Sequence, residues 1–218
     1  MKIELITILS FIAVLSYFVP LGIVMFKNLW QDPFFMLFAI FWAIGGLINV
    51  SDLIPGFSKE TRDTLGAFYN MLDIPFILSI FYYTTTSLLV RKFSFISGIV
   101  FILIEIINAY QKGISYDAIK YTLGTGVGLV LIVVIWEIIR YFKVVEHSNR
   151  QNAKIFIHAA LLFEYGTFVL IYIFDYFVAG DNHNDIYLIY YISTLIAVFI
   201  ASCGYLLFKK YEKKSPVF

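Results

Sequence analysis

Three acids stand where a chain of this composition tolerates them least. Asp73, Glu105 and Glu164 each lie inside long runs of Leu, Ile, Val, Phe and Tyr. An ionisable side chain costs at least about 2.5–3.5 kcal/mol at the middle of a membrane helix, and such groups face the bundle interior. Two of the acids carry an amide at helical spacing. Asn70 precedes Asp73 by three residues and Asn108 follows Glu105 by three, so each pair shares a helix face. Asn49 and Asp52 close a neighbouring run. Read together, Asp73, Asn70, Glu105, Asn108 and Asn49 form one acidic pocket: a proton or cation site, or the counter-charge for a cationic ligand. The structural alternative is that each acid is neutral and hydrogen-bonded, holding helices together. A second polar set comprises Glu137, Arg140, His158 and Glu164. Glu137 and Arg140 are spaced to pair, and Arg140 can snorkel to an interface. Glu164 has no basic neighbour in Leu161-Leu162-Phe163 or Tyr165-Gly166, which makes it a further ligand- or ion-binding candidate. Tyr82, Tyr83, Tyr165, Tyr172, Tyr190 and Tyr191 are placed to line a cavity or to pack with satisfied hydroxyls.

The elements that position these groups follow from composition. Of 218 residues, 61% are hydrophobic and only 14% are charged, far from the quarter charged of soluble domains. A membrane helix needs about 20 apolar residues. Seven such runs are present, at 4–26, 33–53, 65–90, 93–111, 117–142, 154–178 and 185–208. They predict an all-α seven-helix bundle forming a single integral membrane domain over 1–218, multi-pass in the cell (inner or plasma) membrane. The runs are too long, and too uniformly apolar, for the strands of an outer-membrane barrel. The first run is too long for a signal-peptide core, carries Glu4 and lacks a small-x-small cleavage site, so it is read as a retained span. Orientation follows the Lys and Arg of short loops. With the N-terminus outside, eleven bases fall inside and five outside, which predicts N-out and C-in.

Several function classes are excluded. A net charge of +1 gives no electrostatic case for nucleic acid. One cysteine, Cys203, rules out an intrachain disulfide framework. His147, His158 and His183 are too scattered to share a metal, and no phosphate-binding glycine loop or nucleophile elbow is present. No cofactor is indicated. The expected partners are the lipid bilayer and a small-molecule or ion ligand, with a second copy of the chain as a further possibility. Gly124 and Gly128 have the spacing that lets membrane helices approach closely.

A possible repeat bears on function. Phe81 to Lys92 and Phe199 to Lys210 both read as Phe, a small polar cluster, Leu-Leu, an apolar residue and two bases. Asp52 with Gly56 and Asp175 with Gly180 form a second match. A three-one-three arrangement with spans 1–3 and 5–7 as parallel copies is similar to that of the SWEET sugar transporters and the vitamin-precursor transporters that share their plan. The resemblance is one of plan only: there is no Pro-Gln pair, and Pro20 and Pro75 do not correspond. The stretch from Tyr69 to Pro75 faintly resembles the third helix of microbial rhodopsins. That family ties retinal to a lysine in the middle of its seventh helix, and here no lysine occurs before Lys209 at the span's end, which excludes a covalent retinal pigment. The expectation is therefore a small transporter using the acidic pocket. The alternatives are a receptor-like sensor without catalytic activity and an intramembrane lipid-modifying enzyme.

Overall fold

The computed structural model describes residues 2–54, 56–174 and 183–208. The described residues are helical with short connections and no strand. The helices are α1 (Lys2–Ser16), α2 (Val19–Phe26), α3 (Pro33–Val50), α4 (Lys59–Thr84), α5 (Leu88–Lys112), α6 (Tyr116–Phe142), α7 (Asn149–Ile173) and α8 (His183–Leu207). Seven segments among them are long and apolar enough to cross a membrane, α1 and α2 together making one. The chain is a multi-pass membrane protein by this measure.

Helix starts are set by polar caps rather than by the apolar runs. Asp32, Ser58, Ser87, Ser115 and Ser148 each accept from a backbone N–H two or three residues on. Such a cap satisfies a donor the helix cannot, and is worth about 1 kcal/mol. Ser148 and Gln151 complete a reciprocal capping box. Because of these caps, α4, α5 and α7 begin five or six residues earlier than hydropathy suggests. The turn between the third and fourth spans also moves. Thr85 is extended and Ser87 caps α5, so Leu88-Leu89-Val90 and the bases Arg91 and Lys92 belong to α5, not to the preceding span. The two stretches matched in the repeat reading therefore differ in backbone: one contains a turn at 85–87, whereas its counterpart is continuous helix to Leu207. Asp175 and Gly180, the second half of that reading, fall outside the described residues.

The first span is broken. Pro20 has no N–H to offer the carbonyl of Ser16, and residues 17–18 form a turn between α1 and α2. The break turns Tyr17 onto α3, where an added Cβ on Gly46 would stand 2.7 Å from Tyr17 Cβ. Only a glycine lets the two backbones approach so closely.

Packing is sequential around a ring. The first span packs on α3 and α8, α3 on α4, α4 on α6, α6 on α7, and α7 on α8. The α5 helix packs on α4 and α6, outside this ring. The core is aromatic: Phe34, Phe35, Phe38, Trp42, Phe81, Tyr165 and Tyr205 are all fully buried. At the junction of α4, α5 and α6, a Cβ on Gly126 would meet the Phe101 ring at 2.6 Å and Ile74 at 2.8 Å. Of the Gly124-x-x-x-Gly128 pair, Gly124 lies against Tyr172 and Gly128 faces open space. The tightest contact, at 2.6 Å, is made by the glycine between them.

Candidate functional site

Five spans converge on Asp73 and Glu164. Asp73 lies fourteen residues into the 26-residue α4. At 1.5 Å per residue that is about 21 Å from its start, close to mid-helix and deeper than an apolar run beginning at 65 implies. Glu164 lies fifteen residues into the 25-residue α7, so it shares the middle level with Asp73 rather than belonging to the Glu137 and His158 end. Pro75, two residues beyond Asp73, removes one rung of α4.

Asp73 is the acceptor of a tyrosine pair. The Tyr165 hydroxyl donates to its Oδ2 at 2.6 Å, and the Tyr69 hydroxyl, one turn earlier on α4, is also hydrogen-bonded to it. Glu164 is only 6% exposed, and its Oε2 has no hydrogen-bond partner among the described residues. The two acids lie within electrostatic reach of one another. No Lys, Arg or His among the described residues bonds to either.

Around the acids runs a network of hydroxyls. Tyr17 shares hydrogen bonds with Tyr190 at 3.2 Å and with Thr194 at 3.3 Å. Tyr190 donates to Asn49 Oδ1 at 3.3 Å, and Asn49 donates to the Gly45 carbonyl at 2.8 Å. Glu164 lies within electrostatic reach of Tyr17, Tyr69, Tyr165 and Tyr190. Accessibility is one-sided. Tyr17, Tyr165, Thr194 and Glu164 are buried, whereas Asp73, Tyr69, Asn49 and Tyr190 are partly exposed. The accessible part of the cluster is therefore the side of Asp73, Tyr69, Asn49 and Tyr190. Below it, towards the opposite end, the bundle is filled by Phe34, Phe38 and Phe81, whose rings surround His158 at 5.5, 6.5 and 5.7 Å. That histidine is buried in an aromatic box, not placed at an interface.

Of the residues singled out in the sequence, the structure brings together Asp73, Asn49 and Glu164. Asn70 is half-buried on α4. Glu105 and Asn108 are elsewhere. Glu105 is 3% exposed and is hydrogen-bonded with Thr122 and Asn108, while Asn108 donates to the Ala118 carbonyl at 2.7 Å. Glu105 thus bonds along the α5–α6 seam, with its Oε2 buried and unpartnered among the described residues, whereas the acid within electrostatic reach of Asp73 is Glu164. Tyr17, Tyr69 and Thr194 complete the site and were not singled out by sequence. The spacing Tyr69-x-x-x-Asp73 places hydroxyl and acid on one face, and was the available signal for the second of these.

The end of the bundle carrying residues 27–32, 85–87 and 143–150 is organised differently. Arg150 donates twice to Asp32, at 2.6 and 2.8 Å. Burial disfavours the Asp32 charge, but the Arg150 hydrogen bonds and charge prevail and hold its carboxyl below the usual carboxylate range. Arg140 donates to both oxygens of Glu137 at 3.0 and 3.1 Å and to Thr86 at 3.0 Å. Thr85 donates to the same Glu137, and Arg91 donates to the Thr85 carbonyl at 3.0 Å. Lys27 donates to the carbonyls of Tyr205, Leu206 and Phe208, satisfying acceptors left over at the end of α8. Two surface grooves, of about 330 Å³ beside Asp32 and Arg150 and about 400 Å³ between α6 and α7, contain neither Asp73 nor Glu164. Among the described residues no group of three or more His, Cys, Asp and Glu could hold a metal ion. Comparison with family models, with curated proteins and with solved structures gives no match.

Proposed function

We propose that this chain is a small membrane transporter for a monovalent cation or small cationic solute, and that Asp73 and Glu164 form its binding site. The observation that carries the reading is a pair of neighbouring carboxylates at mid-helix, ringed by tyrosine hydroxyls and without a base among the described residues. In hydrocarbon a pair of ionised acids without a base is costly to maintain. A positive ligand supplies the missing charge. Midplane sites between helices are where transporters hold substrate and coupling ion. The one-sided exposure at Asn49 and Tyr69 supplies an entry, and the aromatic plug around His158 closes the other direction.

By the positive-inside rule, the end bearing Lys27, Arg91, Arg140 and Arg150 is cytoplasmic. The entry is then outward, and the membrane is the cell membrane. The test is uptake into proteoliposomes. Labelled sodium, rubidium, methylammonium and choline are offered to wild type, Asp73→Asn, Glu164→Gln and Glu105→Gln. The expected result is accumulation of at least one probe by wild type and Glu105→Gln, and background levels in the other two variants. Accumulation that survives in both site variants would overturn the proposal.

A further inference from the structure

We infer that the two acids of this site have divided roles: Glu164 carries an exchangeable proton, and Asp73 is the fixed charge that the proton's departure leaves paired with the cation. The inference deepens the transport reading and rests on it.

The geometry separates the two groups. Asp73 accepts from two O–H donors, Tyr165 at 2.6 Å and Tyr69, and hydrogen bonds of this kind stabilise a carboxylate. Glu164 has no such donors: its Oε2 is buried and unpartnered among the described residues, and its nearest charged neighbour is Asp73 itself. Two adjacent carboxylates away from water cannot both be ionised without a cation. Where environments push a pair of acids apart in this way, the less solvated one keeps the proton.

The titratable groups facing Glu164 are Asp73 and Tyr69 from α4, Tyr17 from the break between α1 and α2, Tyr190 from α8 and its neighbour Tyr165 on α7. None is basic, so among the described residues no protein cation takes the proton's place. The exchange is balanced in charge. A monovalent cation enters from the accessible side, the Glu164 O–H bond breaks, its proton passes to water, and the carboxylate left behind faces the cation. Binding of one positive charge thus releases one proton, which makes the transporter an exchanger of protons for its substrate.

Infrared difference spectroscopy of the membrane-reconstituted full chain tests this without requiring transport. Glu105→Gln serves as the background, so that its buried carboxyl is silent. Raising the pH should remove one protonated-carboxyl C=O band. That band should be absent in Glu164→Gln, shifted in frequency in Glu164→Asp, and retained in Asp73→Asn. Glu164→Asp keeps the test valid if Glu164→Gln does not fold. Loss of the band in Asp73→Asn with retention in Glu164→Gln would overturn the division of roles. A titrating band untouched by both substitutions at 164 would overturn it as well. Either result would leave the uptake experiment to judge the transport reading separately.

Discussion

The same residue types are used in opposite ways at two levels of this bundle. At the basic end, Asp32 and Glu137 each meet an arginine within 3.1 Å. At mid-bundle, Asp73 and Glu164 meet tyrosines and each other. An exposed acid–base pair is neutral as a unit and contributes about 0.2–1 kcal/mol, which suits it to joining helix ends. The mid-bundle pair has no base bonded to it among the described residues, and on that difference rests the proposal that a mobile positive charge completes it.

The largest expected effect breaks the mid-bundle half of the contrast. Asp73→Asn or Glu164→Gln removes one wall of the charge site, costing the bound cation about 2–4 kcal/mol, or roughly 30- to 1,000-fold in apparent affinity. Thermal unfolding of Glu164→Gln in detergent should stay close to the wild-type midpoint, because an amide of the same shape replaces a carboxyl that is neutral before the cation binds. Next comes Tyr165→Phe, which deletes one donor to Asp73. A hydrogen bond to a charged group is worth about 1.5–3 kcal/mol, so uptake affinity should fall by roughly ten- to a hundredfold while the aromatic packing of the ring is kept. At the basic end the signs reverse. Arg140→Gln leaves Glu137, 12% exposed, with its threonine but without its cation, and should lower stability by about 1–3 kcal/mol with uptake affinity unchanged.

The smallest effect is expected at the most exposed pair. Asp32→Asn should cost about 1 kcal/mol or less, measured as a shift in the unfolding midpoint, and the loss should depend on pH. The folded-state carboxyl titrates below its usual value of 3.8, so its stabilisation is fully present above that value. It disappears as the pH falls further, through the folded-state value. Wild type and Asp32→Asn should therefore differ at neutral pH and converge in strong acid.

The seven spans were legible because hydropathy sums over 20 or more residues and tolerates error at either end. The ends were less so, since Ser58, Ser87 and Ser148 start their helices in polar sequence that a hydropathy window discounts. The turn at Thr85-Thr86-Ser87 was hidden by the apolar Leu88-Leu89-Val90 that follows it. At the site, Asp73 and Glu164 were visible as acids in apolar runs, but their meeting was not. Whether Asp73 faces Glu105 or Glu164 depends on the rotation of α4 about its axis, which is set by packing across the ring. Sequence adjacency favoured α5, and the structure places α5 outside the ring with Glu105 turned to Thr122 of α6. Tyr17 was hidden for a related reason: its position depends on the break before Pro20, within a run that reads as one apolar span.

On the proposed reading the Asp73–Glu164 pair, and not Glu105, binds the transported cation. Uptake of labelled sodium, rubidium, methylammonium and choline by proteoliposomes, compared among wild type, Glu164→Gln and Glu105→Gln, tests it most directly. Wild-type and Glu105→Gln vesicles should accumulate the same probe equally, and Glu164→Gln vesicles should remain at background. Equal accumulation by Glu164→Gln, or no accumulation of any of the four by wild type, would contradict it.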